Sequence, residues 1–92
     1  MSLGLRWTRH ATDEAANDGL LAEEVEEALA VEARIIEANP QDARGASTLV
    51  LAHLPDGTAV HALIGHGQQP WAVITVYIPD PARWNSDYTE RG

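Results

Sequence analysis

Cysteine and lysine are both absent from this chain of 92 residues. Without cysteine, the chain can form neither a disulfide framework nor a thiolate metal site, which is typical of cytoplasmic proteins. Long apolar runs are lacking too, since no stretch approaches the roughly 20 residues that span a bilayer. The N-terminus has no basic segment that leads into an apolar one, so no signal peptide is indicated. These absences predict a cytoplasmic protein without a membrane-spanning segment.

Basic residues of any kind are scarce. Six arginines stand against 14 aspartates and glutamates, which gives a net charge of −8. Nucleic-acid affinity depends largely on neutralising phosphates, so this balance disfavours RNA unless arginines gather locally. A basic partner protein is the easier electrostatic match.

The length and the 45% hydrophobic content are those of one globular domain spanning residues 1–92. Alternation at Leu3, Leu5 and Trp7 predicts a short first strand. Thr8 is a suitable cap for a short helix that runs through residue 16 and stops at Asn17-Asp18-Gly19.

The clearest helical signal follows this stop. Apolar residues recur at helical spacing and predict a second helix that continues to Asn39-Pro40, with its glutamates, including Glu37, facing water. The apolar stripe consists of Leu21, Val25, Ala28, Leu29, Ile35 and Ile36.

Three strands are predicted after a polar loop at residues 41–45, and they cover residues 46–54, 59–65 and 71–78. Their short connections make them antiparallel neighbours. Pro55-Asp56-Gly57 suits a type I turn with a left-handed glycine, which sets His53 opposite Ala59. A two-residue turn would shift the register by one and put His53 and His61 on opposite faces.

Alternation along these strands gives the sheet two different faces. We expect the helices to cover the apolar face, which carries Val50, Ala52, Leu54, Val60, Ala62, Ile64, Ala72, Ile74, Val76 and Ile78. The other face, here called the mixed face, carries Leu49, Leu51, His53, Ala59, His61, Leu63, Trp71, Val73, Thr75 and Tyr77. A cleft is expected on the mixed face.

The chain ends with a predicted helix over residues 81–90, since an aspartate suited to the N-cap precedes a proline suited to the first helical position. At helical spacing, Trp84, Tyr88 and Arg91 share one side. These side chains either pack the helix onto the sheet, with the arginine at the C-terminal dipole, or form the rim of a site. Arg83 is a further candidate for that rim.

The order of strand, two helices, three antiparallel strands and terminal helix resembles the RelE/ParE-like toxin fold. His10-Ala11 opening a helix, His61 inside its strand, and Ile74-Thr75-Val76-Tyr77 followed by Pro79-Asp80-Pro81 look like one family. That family is the domain-of-unknown-function family forty-two fifty-eight. The resemblance runs from about residue 7 to residue 91.

The resemblance implies an α+β fold of order β-α-α-β-β-β, with an antiparallel sheet, two helices packed on one face and a short C-terminal helix. It also implies a small bacterial toxin, often encoded beside an antitoxin of the YgiT zinc-finger type. RelE-type relatives cut messenger RNA on the ribosome. The first hypothesis is therefore a toxin that cleaves RNA without a metal or other cofactor, with an antitoxin as partner and a homodimer as an option.

Cleavage of RNA by its own 2′-hydroxyl needs a base, an acid and positive charge near the phosphate. Histidine can serve as base or acid near neutral pH, arginine supplies charge, and tyrosine stacks on bases or donates a proton. The candidate catalytic residues are His10, His61, Tyr88 and Arg91, and the candidate substrate-binding residues are Arg9, Tyr77, Arg83 and Trp84.

Alternatives to this site stay open. Each histidine can instead be a half-buried residue with one hydrogen bond, and a metal site of His53, His61 and His66 lacks any paired-spacing motif. Glu14 and Asp18 stand where the family often carries arginines. Together with the net charge of −8, this gives a second hypothesis: a degenerate, non-catalytic domain that binds a basic or zinc-finger partner, or itself.

Overall fold

The computed structural model describes residues 4–41 and 45–92. Leu3 of the predicted first strand and residues 42–44 of the predicted polar loop lie outside these ranges. The described part is an α+β structure with two helices and a five-stranded mixed sheet. Its elements are β1 (Arg6–Trp7), α1 (Arg9–Asn17), α2 (Ala22–Val31), β2 (Arg34–Asn39), β3 (Ser47–His53), β4 (Ala59–Gly65) and β5 (Ala72–Tyr77).

The first helix begins and ends where the sequence predicts. The Thr8 side chain accepts a hydrogen bond from the Ala11 amide at 3.1 Å, which satisfies one of the free amides at the helix start. Gly19 follows the helix with φ of 71°, a left-handed conformation that glycine adopts without steric cost. Local capping chemistry therefore fixes α1.

The prediction for the second helix is wrong after Val31. The chain becomes extended at Glu32, and residues 34–39 form β2 instead of further helical turns. β2 pairs antiparallel with β3, with Ile35 opposite Val50. Two adjacent β-branched isoleucines favour a strand, and pairing with the open side of β3 outweighs the helical spacing. Glu37 consequently lies in the sheet and not on a helix.

The sheet has the order β1-β5-β4-β3-β2. The strands β3, β4 and β5 are antiparallel neighbours, as predicted. The prediction of a fully antiparallel sheet is wrong at one edge, because β1 runs parallel to β5. A crossover through the helices joins β1 to the rest of the sheet, which is how parallel neighbours are connected.

The β3–β4 hairpin has the predicted register. His53 pairs with Ala59, and Leu51 pairs with His61, so both histidines belong to the mixed face. Gly57 has φ of 91°, as the left-handed turn position requires. The turn chemistry alone is sufficient to set this register.

The alternation predicted for β5 is wrong near its start. Leu63 pairs with Thr75 but Ile64 pairs with Val73, so Ile74 is the extra residue of a β-bulge. Val73 thereby enters the core beside Val76. The side chain of Ile74 occupies the space over Gly65, where a Cβ would come within 2.8 Å of it.

No C-terminal helix forms over residues 81–90 in the described structure. The Asp80 side chain does accept a bond from the Ala82 amide, but only turns follow. Asn85 accepts bonds from the amides of Thr89 and Glu90, which competes with helical hydrogen bonding. The chain then reverses, and Trp84 forms an isolated antiparallel bridge with Arg91. We call residues 79–92 the C-terminal loop.

The helices pack on one face of the sheet, as predicted. The core between them consists of Ala11, Ala15, Leu20, Val25, Ala28, Leu29, Val50, Ala52, Leu54, Val60, Ala62, Ile64, Val73 and Val76. Neither helix in the described ranges has the length and apolar character needed to cross a membrane. On the opposite, mixed face the described residues form no helix, and the C-terminal loop lies there.

Candidate functional site

The mixed face brings polar and aromatic groups together at the centre of the sheet. The register places His61 of β4 between Leu51 of β3 and Tyr77 of β5. Glu37 of β2 lies opposite Leu49 and so faces the same side. We define the His61 cluster as Glu37, His61, Tyr77, Trp84, Arg91 and the backbone carbonyl of Tyr88.

His61 is at the centre of this cluster and has 0% of its surface exposed. Its Nε2 lies 2.8 Å from the Tyr88 carbonyl oxygen, and its Nδ1 lies 3.2 Å from the Tyr77 hydroxyl oxygen. A carbonyl oxygen can only accept, so Nε2 carries the proton and donates. In the neutral ring, Nδ1 then accepts from the Tyr77 hydroxyl. Both ring nitrogens are therefore engaged within the protein.

Aromatic rings enclose the imidazole. The Trp84 ring centroid is 4.4 Å from that of His61 with an interplanar angle of 81°, and the Tyr77 centroid is 5.3 Å away at 72°. Edge-to-face contacts of this kind are the preferred geometry for aromatic neighbours. Trp84 itself is buried. The C-terminal loop is thus attached to the sheet through an aromatic contact and a backbone hydrogen bond to the same histidine.

Arg91 closes the outer side of the cluster. Its Nε and one terminal nitrogen donate to the two carboxylate oxygens of Glu37 at 2.8 and 3.1 Å. Its guanidinium carbon lies 4.8 Å from the centroid of the Trp84 ring, within range of a cation–π contact. The Arg91 guanidinium is therefore already bound by the Glu37 carboxylate and the face of the Trp84 ring.

Burial and pairing shift the pKa values of these groups in the directions that keep the network intact. Burial lowers the pKa of His61 and raises that of Tyr77, which favours the neutral imidazole and the protonated phenol. The hydrogen bond from Arg91 lowers the pKa of Glu37 and the same bond raises the pKa of Arg91. Clusters of shifted pKa values mark functional sites, but ion-pair networks that only support a fold produce them too.

Five of the eight residues predicted for the site meet in or around this cluster. Their contributions differ from the prediction in one respect, because Tyr88 contributes its carbonyl oxygen to His61 and not its phenol. Tyr88 also has φ of 61°, an uncommon left-handed conformation for a bulky residue. The five are His61, Tyr77, Trp84, Tyr88 and Arg91.

His10 and Arg9 do not join the cluster. Both belong to α1, whose buried alanines pack against the opposite face of the sheet. Arg83 lies at the margin, where it lines a cavity of about 260 Å³ together with Tyr77 and Arg91. The predicted pairing of two histidines as base and acid is therefore not formed.

Glu37 is the cluster member that sequence reasoning missed. The helical stripe placed it on a water-facing helix, whereas β2 directs it to the mixed face. The two isoleucines that precede it were the available signal, since paired β-branched residues favour a strand.

A larger cavity of about 610 Å³ lies beside the cluster on the mixed face. Its floor includes Leu51 and Ala59, and its rim includes Arg34, His53 and Tyr88. This volume is in the range of small-molecule sites. Residues 86–89 of the C-terminal loop line one side of this cavity, and His61 is not among its lining residues.

Metal ligation finds no support among residues 4–41 and 45–92, where no three His, Asp or Glu side chains lie close enough to share an ion. The weighed site of His53, His61 and His66 does not form. Instead, His66 shares a 2.8 Å hydrogen bond with Thr48 and packs edge-on against Trp71 at 4.3 Å.

Comparison with protein families matches residues 7–78 to the model described as Domain of unknown function (DUF4258). The match begins within β1 and ends one residue after β5, so the C-terminal loop lies beyond it. Comparison with curated proteins and with solved structures finds no match. The matched residues cover most of the chain, and the protein belongs to the DUF4258 family.

Proposed function

We propose that this chain is a protein-binding domain, the toxin-like member of a bacterial toxin–antitoxin pair that has no RNA-cleaving activity of its own. The observation that carries the proposal is the state of His61, whose two ring nitrogens are both hydrogen-bonded inside the protein and whose surface is fully buried. A general base or acid needs a nitrogen within reach of the substrate. In this arrangement the imidazole supports the fold.

Electrostatics favour the same proposal. The arginine of the cluster, Arg91, is neutralised by a bidentate pair with Glu37. The chain as a whole carries −8, which repels the phosphates of RNA at long range. Both features suit a basic protein partner better than a nucleic acid.

Ancestry within the RelE/ParE-like superfamily belongs to this proposal. It is supported by the order strand, two helices and antiparallel strands, and by membership of the DUF4258 family. The partner proposed is an antitoxin, of the YgiT zinc-finger type where such a gene lies next to this one, and the pair is proposed to act in the cytoplasm. Co-expression with the neighbouring gene product should yield a complex that survives size-exclusion chromatography. A chain that elutes alone would contradict the proposal.

A second candidate function, metal-independent RNA cleavage, is favoured by the convergence of five predicted site residues. It requires the Tyr88 carbonyl to leave Nε2 of His61 and the Arg91 guanidinium to leave Glu37 while Arg91 stays beside the sheet, because only then are both groups free for a phosphate. Glu37 would have to take the place of the distant His10 as base, and the low pKa that its hydrogen bond with Arg91 gives it makes it a weak one, which counts against this candidate.

Expression in a bacterial host separates the two candidates. The proposed function predicts normal growth and intact messenger RNA for the wild-type chain. Growth arrest that is lost in Arg91→Ala but kept in Arg9→Ala would establish cleavage at the cluster instead. The two variants are matched, since each removes one exposed arginine. Circular dichroism of both must show the wild-type fold.

A further inference from the structure

The sheet has one long edge at which no strand is paired. β2 ends the strand order and pairs only with β3, so its outer backbone groups face no other strand in the described part of the chain. Proteins usually protect such edges, because unpaired backbone groups are a template for another strand. The opposite edge, β1, has only two residues. β2 has six and is long enough to pair.

Apolar side chains are exposed beside this edge. Ile35 projects to the helix side of the sheet, as does its partner Val50, yet Ile35 is 62% exposed and Val50 only 6%. Val31, at the end of α2, is 87% exposed. The core layer therefore stops short of β2 and leaves two large apolar side chains uncovered at the point where α2 leads into the strand.

Carboxylates flank the same region. Successive residues of an α-helix are rotated by about 100°, so Glu24 and Val31 lie on one flank of α2 and Glu26 lies on the other. Glu26 accepts a hydrogen bond from the indole of Trp7, which belongs to the far edge of the sheet. The flank with Glu24 and Val31 therefore faces β2. Glu32, between α2 and β2, is exposed as well.

We propose that β2 binds an extended segment of a partner protein, which adds to the sheet as a further strand and carries apolar and basic side chains together on its helix-side face, at every second residue. Backbone hydrogen bonds to β2 would supply the pairing. The apolar side chains would cover Ile35 and Val31, and the basic ones would meet Glu24 and Glu32. This inference rests on the proposed protein-binding function and identifies the surface and the chemistry of the partner.

A second copy of the chain fits this edge less well. Each copy carries −8, so two copies repel each other, whereas a basic segment is attracted. The β-bulge between Ile35 and Glu37 also distorts the edge, and such bulges discourage indiscriminate pairing between sheets. The surface is distinct from the His61 cluster, because Glu37 projects to the opposite side of β2 from Ile35.

The test uses the synthetic peptide Val-Thr-Lys-Thr-Val-Thr-Lys, acetylated and amidated, added to the full-length ¹⁵N-labelled chain. This lysine–valine peptide presents valine and lysine on one face and threonine on the other. The expected result is binding in 0.15 M salt, with chemical-shift changes and slowed amide exchange in Arg34–Asn39. A glutamate–valine peptide and a backbone N-methylated lysine–valine peptide should not bind. Ile35→Lys should weaken binding by about tenfold or more, since it removes apolar burial and adds a repelling charge.

Leu21→Lys is the matched control, because Leu21 is 59% exposed and lies outside the surface. It should bind as the wild type does. The inference is overturned if the lysine–valine peptide does not bind, if Ile35→Lys and Leu21→Lys weaken binding equally, or if N-methylation has no effect. Sedimentation that shows dimers abolished by Ile35→Lys would also overturn it, in favour of self-pairing. These results do not depend on growth arrest, so failure here is separable from failure of the proposed function.

Discussion

At the scale of the residue, His61 combines full burial with a hydrogen bond at each ring nitrogen. The Tyr88 carbonyl fixes the proton on Nε2, and in the neutral ring Nδ1 accepts from the Tyr77 hydroxyl. Protonation of Nδ1 would force the bond with the Tyr77 hydroxyl to reverse and would place a buried charge against the rings of Trp84 and Tyr77. The environment of this one side chain therefore makes folding depend on pH.

We predict that the free energy of unfolding falls as the pH drops below about 6.5. Burial holds the pKa of His61 in the folded chain below its ordinary value of 6.5, so the unfolded chain takes up the proton first. The contribution is complete above that value and is lost as pH falls towards the folded pKa. Glu37 and Arg91 also face the ring, but the lowered pKa of Glu37 places its own contribution below pH 4.5.

Urea unfolding followed by circular dichroism between pH 5 and 8 measures this dependence. His61→Phe, which replaces the imidazole with a larger ring that does not titrate, should flatten the curve in that window, while His10→Gln on the exposed side of α1 should leave it unchanged. An unchanged slope in His61→Phe would show that another group is responsible.

Tyr77→Phe is predicted to destabilise the protein by about 1–2 kcal/mol, because it leaves the buried Nδ1 of His61 without a donor. Tyr88→Phe is the matched change, since Tyr88 contributes a backbone carbonyl that the substitution preserves. It should cost much less. Thermal unfolding of both variants checks the comparison, and equal losses would mean that the phenol–imidazole bond contributes nothing.

At the scale of the element, the segments that the sequence predicts well are those governed by local chemistry. The cap at Thr8 and the left-handed Gly57 are local signals that predict the start of α1 and the β3–β4 register correctly. β2 could not be predicted in this way, since Ile35 and Ile36 also continue the helical spacing and only the open side of β3 decides between the two.

The same distinction between local and distant interactions explains which residues of the candidate site the sequence predicts. Alternation in β4 and β5 correctly places His61 and Tyr77 on one face, because a strand repeats every two residues. Glu37 was missed along with β2. The chain reverses at Asn85, whose side chain holds the turn, and the reversal brings Arg91 next to Trp84. The predicted helix also placed Arg91 on the same side as Trp84, so the neighbours were correct although the helix was wrong.

The C-terminal loop should loosen when Asn85 is changed. Its side chain accepts bonds from two backbone amides and donates to the Thr89 hydroxyl at 3.1 Å, so Asn85→Ala removes the contacts that fold the loop on itself. We expect faster amide exchange in residues 84–91 and greater solvent exposure of the Trp84 indole, with β3 and β4 unaffected. Ser86→Ala, on the exposed side of the loop, is the control. Exchange that accelerates throughout β4 would show that the loop is part of the global folding unit.

At the scale of the whole molecule, charge is the property that connects folding with binding. A net charge of −8 on 92 residues repels itself, and the repulsion is strongest where carboxylates are adjacent, as on the exposed side of α2. Glu27 lies one turn from both Glu23 and Glu24, and like charges at these spacings destabilise a helix. The acidic side of α2 therefore lowers stability, and a basic partner would relieve this repulsion.

We therefore predict that raising sodium chloride from about 10 mM to 200 mM stabilises the chain, because the Debye length falls to less than about 10 Å and screens the exposed carboxylates. Glu27→Lys should be more stable than the wild type at low salt by about 0.5 kcal/mol, since it replaces two repulsive pairs with attractive ones, and the gain should shrink at high salt. Asp13→Lys reverses the same charge beside Arg9 on α1 and should bring no such gain. Urea midpoints at the two salt concentrations measure these differences. Equal stabilisation by both substitutions would show that the net charge alone causes the effect. The acidic side of α2 would then have no special role in attracting a basic strand to β2.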